Sequence, residues 1–228
     1  MSSSIAVESP APPARPAPVF AGPSRYAVAA ILLACGVTQL VAQLLELEED
    51  DPATRVAYWA AHPTSTGVMM SLWLVSVPMF IGSVAALVAL TRQSSRRLAW
   101  IGGGCMLMAL TGLAAVLGLE LGAYWRVLEN DVPGATGVLA SKDFGLPGVV
   151  LFAMFLGGAL IGSLLLAVAM WRSPLLPRLT AVLLIAFVVV DMLLSRAQIG
   201  HLLNAAWSAV AAWAVLTAYV RRPRGAAQ

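Results

Sequence analysis

The stretch GVMMSLWLVSVPMFIGSVAALVAL, Gly67 to Leu90, carries no charge at any position and is closed by Arg92. It is apolar on every helical face, so no side of it is marked for water. As an α-helix it rises about 36 Å, enough to cross a hydrocarbon core of about 30 Å. Strands span a membrane only as a closed barrel, in segments of roughly ten residues alternating apolar and polar. This stretch does not alternate. Inside lipid each backbone N–H and C=O has to be satisfied within its own segment, and a helix does this.

Working outward, the same pattern recurs. Span 1 is read at Tyr26 to Leu45, span 2 at Gly67 to Leu90, and span 3 at Leu98 to Leu119 with an extension toward Trp125. Pro147 opens span 4, which ends at Trp171; span 5 covers Leu179 to Ser195 and span 6 His201 to Val220. Pro78 removes a backbone donor in mid-span 2 and predicts a bend. Of the residues, 60% are hydrophobic and 11% charged, against about 25% charged in soluble domains. The expected fold is therefore an all-α, polytopic transmembrane bundle of six spans over residues 25–222. It is flanked by a disordered Pro/Ala-rich tail at 1–24 and a short tail at 223–228. The first tail reads as a retained segment and not as a cleavable signal peptide, because its prolines precede an apolar run long enough to span.

Between spans 1 and 2 lies an acidic loop with Glu46, Glu48, Glu49, Asp50 and Asp51, followed by Pro52 to Ala61. Val56, Trp59 and Ala60 there stand at helical spacing, Pro52 suits a first turn, and His62-Pro63 ends the segment. This predicts one short amphipathic helix lying at the membrane interface. The stretch from Arg126 to Leu146 reads as a loop, and Arg196 to Gly200 as a tight connection.

Arg15, Arg25, Arg92, Arg96, Arg97, Arg172, Arg178, Arg221, Arg222 and Arg224 fall on one side of this plan. Only Arg55, Arg126, Lys142 and Arg196 fall on the other. The positive-inside rule then puts both termini in the cytoplasm and the protein in the cell membrane. The net charge of +3 is explained by these span-end arginines, which leaves no case for a nucleic-acid partner. Thirteen of the fourteen basic residues are Arg, the composition of a GC-rich bacterial source. The expected partners are the lipid bilayer and, left open by the sequence, a further protein or a second copy.

Polar residues inside spans carry the functional reading. Gln39, Gln43 and Glu46 are at i, i+4, i+7; His201, Asn204 and Ser208 at i, i+3, i+7; Glu120 precedes Tyr124 by four; and Asp191 interrupts an apolar run. All four sets fall at similar depth. Ionisable groups within spans usually face the bundle interior or a wet cavity. The spacing therefore predicts an outward-facing polar cavity lined by Gln39, Gln43, Glu46, Glu120, Asp191, His201 and Asn204. The competing reading makes Glu46 and Glu120 water-boundary markers, pairs Asp191 with Arg196, and lets His201 cap span 6. Carboxylates with one histidine suit a proton relay or a cation.

With only His62 and His201 there is no metallohydrolase motif. Cys35 and Cys105 lie within spans and read as packing residues, so no metal site and no cofactor is expected. No serine has a neighbouring base, and Gly102-Gly103-Gly104, Gly118-x-x-x-Gly122 and Gly158-x-x-x-Gly162 read as helix packing within the bundle. Ile81-Gly82-Ser83 before Arg92 and Ile161-Gly162-Ser163 before Arg172 suggest that spans 2–3 and 4–5 are a duplicated hairpin.

The six-span plan, with Asp51 to Pro63 leading into a Gly- and Trp-containing span, resembles bacterial multi-span proteins of families with no assigned function. The resemblance covers roughly residues 26–220 and implies architecture only. Three function classes stay open: small-solute or ion transport or binding through the outer cavity; a non-catalytic interaction or regulatory subunit; and, less favoured, a membrane enzyme.

Overall fold

The computed structural model describes residues 24–47, 51–141, 145–193 and 197–217. Its helices are α1 (Ser24–Leu45), α2 (Pro52–Ala61), α3 (Pro63–Thr91), α4 (Arg96–Leu128), α5 (Val132–Ala140), α6 (Gly145–Trp171), α7 (Arg178–Val188) and α8 (Ala197–Thr217). A π-helical turn, Val189–Leu193, continues α7. The described residues contain no strand, so the all-α class holds. Both expected tails lie outside the described residues, except that Ser24 already begins α1.

Five helices (α1, α3, α4, α6 and α8) are long and apolar enough to cross a membrane. Span 5 is the exception. Arg178 to Leu193 rises about 24 Å as a helix, below the usual ~30 Å core. The long helices and α7 pack in chain order, each against the next, and α8 closes back onto α1. The four-residue turn from Arg92 to Ser95 makes α3 and α4 antiparallel neighbours, as short connections do. The side chains that face outward are apolar: Leu33, Val37, Val75, Leu107, Val149, Phe152 and Val182 are each more than two-fifths exposed. Those facing inward include Gln39, Gln43, His201 and Asn204. A soluble bundle has the opposite arrangement.

Close contacts between helices rest on glycine. A Cβ on Gly158 would stand 2.6 Å from the Cys105 carbonyl oxygen, and one on Gly162 2.9 Å from the Met106 nitrogen. The α6 motif therefore packs within the bundle as expected. Gly118 and Gly122 on α4 do not, since a Cβ on either would meet nothing within 4 Å. Of the three consecutive glycines, Gly102 meets Leu165 and Leu166 and Gly103 meets Val88, whereas Gly104 faces open space.

The ends of the bundle differ from the sequence expectation in three places. Residues 126–146 are not a plain loop. Asn130, at φ 62°, ends α4: its N–H bonds the Val127 carbonyl and that of Asp131 bonds Arg126, the double closure of a left-handed C-terminal cap. Asp131 then caps α5 by accepting from the Gly134 N–H at 2.9 Å. Asp51 does the same for α2, accepting from the Thr54 N–H at 2.9 Å. Hydrogen bonds from Thr54 hold the Asp51 carboxyl below its usual range, and those from Gly134 and Arg126 do so for Asp131. The second difference is that Val56 and Trp59 of α2 are buried in a small core with Met69, Met70, Tyr124 and Ala135. Their stripe faces protein, while Ala60, read with it, is exposed. Finally, α8 begins at Ala197, which puts Gly200 in a helix and not in a connection; Arg196 lies outside the described residues.

The two Asp-capped helices stand at matching positions along the chain. Asp51 precedes Ile81-Gly82-Ser83 by thirty residues, as Asp131 precedes Ile161-Gly162-Ser163, and α2 and α5 pack together. Each unit is a short capped helix, a long apolar helix and an arginine turn.

Candidate functional site

The seven expected residues gather in three groups. In the first, α1 and α8 meet where Gly36 lies directly against Ser208. One turn further along α1, Asn204 Nδ2 donates to Gln39 Oε1 at 2.7 Å, with both residues 3% exposed. The Gln39 amide also reaches Cys35 Sγ at 3.6 Å. Gln43, four residues on, is buried too. An amide pair in an apolar setting satisfies its own polar atoms and fixes the register of the helices it joins.

The second group is Asp191 and His201. The π turn carries Asp191 to the start of α8, where Gly200 makes room: a Cβ there would stand 2.7 Å from Asp191 Cβ. His201 Nε2 lies 3.9 Å from Asp191 Oδ1. That is beyond a direct hydrogen bond and suits one bridging atom. The imidazole is held edge-on by Trp73, ring centroids 5.3 Å apart, and tilted by Phe187 at 5.9 Å. Its other nitrogen, Nδ1, is buried without a partner.

Glu46 and Glu120 form the third group, brought together by a residue that the spacing rules passed over. Arg55 of α2 reaches Glu120 Oε1 at 3.1 Å and Glu46 Oε1 at 3.5 Å, with its guanidinium over the Trp59 ring at 5.3 Å. Arg55 thus ties α2 to both α1 and α4. The only sequence signal was a lone arginine after an acidic run, four residues before a tryptophan. Tyr124, one turn past Glu120, donates its hydroxyl to the Pro63 carbonyl at 2.7 Å.

No hydrogen bond or ion pair among the described residues links Glu120 to Asp191 or His201. Trp73 relates the second and third groups: it touches His201 and packs on the core that holds Trp59 and Tyr124.

The chain matches no family model, no curated protein and no solved structure.

Its site is therefore read from its own atoms. Along the protein-facing side of α8, His201 Nδ1, Trp207 Nε1 and Ser208 Oγ are all buried and lack a hydrogen-bond partner. Native interiors satisfy the large majority of such atoms, so each exception asks for a water, an ion or a ligand. His201 and Ser208 fall on one face of α8, with Asp191 near His201 and the Gln39–Asn204 pair between them along the helix. Among the described residues no three His, Cys, Asp or Glu side chains cluster at metal-binding distance.

Proposed function

We propose that this chain is a six-span protein of the cell membrane that binds a small polar solute or cation within its bundle, as a step in moving it. The reading rests on one observation: two buried polar atoms of α8 without a hydrogen-bond partner, His201 Nδ1 and Ser208 Oγ, belong to the helix face that also carries the Asp191–His201 contact and the Gln39–Asn204 pair. Asp191 supplies the countercharge for a cation, and His201 and Ser208 give hydrogen bonds of either sense.

In this reading α7 and its π turn make the sixth, short span. A short span is accommodated by local thinning of the bilayer, and Asp191, two residues before the turn's end, is one such polar ending. The arginine turns lie in the cytoplasm by the positive-inside rule. The helices α2 and α5 then sit at the outer membrane surface, as an interfacial layer whose buried stripe faces the bundle. Trp100, Trp171 and Trp213, all half or more exposed, suit an aromatic belt on the inner side.

Thermal unfolding of the detergent-purified protein tests the proposal, scanned with sodium, potassium, magnesium and small amines over pH 5 to 8. A guest at a hundredfold its dissociation constant raises the midpoint by about 5–10 °C. The rise occurs in the wild type and vanishes in Asp191→Asn. A flat response, identical in both proteins, overturns it.

A second reading has its own support. Gly118 and Gly122 leave an open small-residue face on α4, of the kind that lets another helix approach. Under that reading the protein acts by holding a partner, and Gly118→Leu disrupts the complex without touching the α8 seam.

A further inference from the structure

A groove of about 290 Å³ runs between α3 and α4 on the outside of the bundle. Its depth follows from sequence position: Ile81 lies near one end and Arg92 at the other, about 16 Å apart along a helix. That is one leaflet of a ~30 Å hydrocarbon core. The walls are apolar, with Val88 and Leu107 on opposite helices. The groove exists because Gly104 has no side chain to fill it, a Cβ there meeting nothing within 4 Å. Only its mouth is charged. Arg92 lines it beside Trp100, which is 58% exposed, and Arg96 and Arg97 follow in the first turn of α4.

None of these three guanidinium groups makes an ion pair or a side-chain hydrogen bond among the described residues. The corresponding turn is different, for Arg178 there is stacked over the Trp171 ring at 5.4 Å. Ser95, at the start of α4, makes no side-chain cap, so the helix N-terminus adds its partial positive charge to the same mouth. An apolar slot one leaflet deep, ending in unpaired positive charge and a tryptophan, matches one molecule in outline: a phospholipid lying along the bundle. Basic pockets between spans take anionic headgroups in preference to zwitterionic ones.

We infer that the α3–α4 groove is a binding site for an anionic phospholipid, one acyl chain lying over Gly104 and the phosphate against Arg92. This site is separate from the α8 seam and does not depend on its function.

The test is native mass spectrometry of the detergent-purified protein with added phosphatidylglycerol or phosphatidylcholine, for wild type, Arg92→Ala, Gly104→Leu and Gly118→Leu. Wild type is expected to retain one phosphatidylglycerol and little phosphatidylcholine. Arg92→Ala weakens retention of the anionic lipid about fivefold. Gly104→Leu fills the groove and abolishes retention, whereas Gly118→Leu, on the same helix in equally open space, keeps it. Unchanged unfolding midpoints in detergent alone show that the variants are folded. Equal retention of the two lipids by wild type overturns the inference, and so does a Gly104→Leu protein that holds lipid as wild type does.

Discussion

Asn204 and Gln39 are 165 positions apart and share the hydrogen bond that joins α1 to α8. Changing one of them alone strands the other's amide in an apolar setting, at a cost of about 1–3 kcal/mol. Gln39→Leu and Asn204→Leu should each lower the unfolding midpoint, and the double variant should recover part of the sum. A coupling of about 1 kcal/mol in that cycle is expected for a hydrogen bond between membrane helices; strict additivity would show that the two amides do not pair. Arg55 sets a second residue-scale expectation. Removing Arg55 takes the ion pair from Glu120 and from Glu46 in a part-buried cluster. Arg55→Met should cost about 1–3 kcal/mol, and Arg55→Lys should recover only part, because an ammonium has no planar face to lay on Trp59. Full recovery by Lys would leave the stacking without a role. Gln39, Asn204, Asp191 and His201 were legible in the sequence because a polar residue inside an apolar run is conspicuous. Arg55 was not, because its carboxylates come from helices whose packing no spacing rule gives.

Among elements, the long helices were legible from the absence of charge, and α2 from Pro52 at a first turn with Val56 and Trp59 at helical spacing; its cap, Asp51, was read only as part of the acidic loop. The same signal stands at Asp131-Val132-Pro133, with Asn130 before it suited to a left-handed turn, yet the mixed charges from Glu129 to Asp143 read as loop. The lesson is physical: a cap is a local hydrogen-bonding arrangement, and it acts whether or not the surrounding composition looks helical. The π turn had no sequence signal, since widening a helix by one residue satisfies packing around Gly200 and Asp191 and leaves no trace in periodicity. The caps carry a pH dependence. Both carboxyls lie below their ordinary value in the folded protein. Their contribution is therefore present above the unfolded value near 3.9 and is lost as pH falls through the lower folded values. Acid unfolding of wild type should include this loss, and Asp51→Asn with Asp131→Asn should flatten it below about pH 4. An identical acid profile in the double variant would remove the caps from the account.

At the scale of the whole molecule, six consecutive apolar elements pack in chain order and close on themselves, turning aliphatic side chains outward and amides, imidazole and hydroxyls inward. Composition alone foretold that inversion, because lipid solvates leucine and does not solvate asparagine. One element is shorter than the rest: α7 ends at Val188 and the π turn that continues it carries Asp191. The seven polar residues that composition and spacing put at one depth pair up in the fold as three groups, because helical spacing gives the face of a residue but not the helix that face meets. The central proposal is that the seam along α8 admits a polar guest, and hence water, from the end that bears α2 and α5. Thiol labelling measures this directly. In a background of Cys35→Ala and Cys105→Ala, Asn204→Cys is exposed to a membrane-impermeant maleimide added outside intact cells, beside Ala61→Cys on the surface of α2 and Gly104→Cys in the lipid-facing groove. The account predicts that Asn204→Cys labels, more slowly than Ala61→Cys, while Gly104→Cys does not. An Asn204→Cys protein as unreactive as Gly104→Cys, with Ala61→Cys fully labelled, would contradict it.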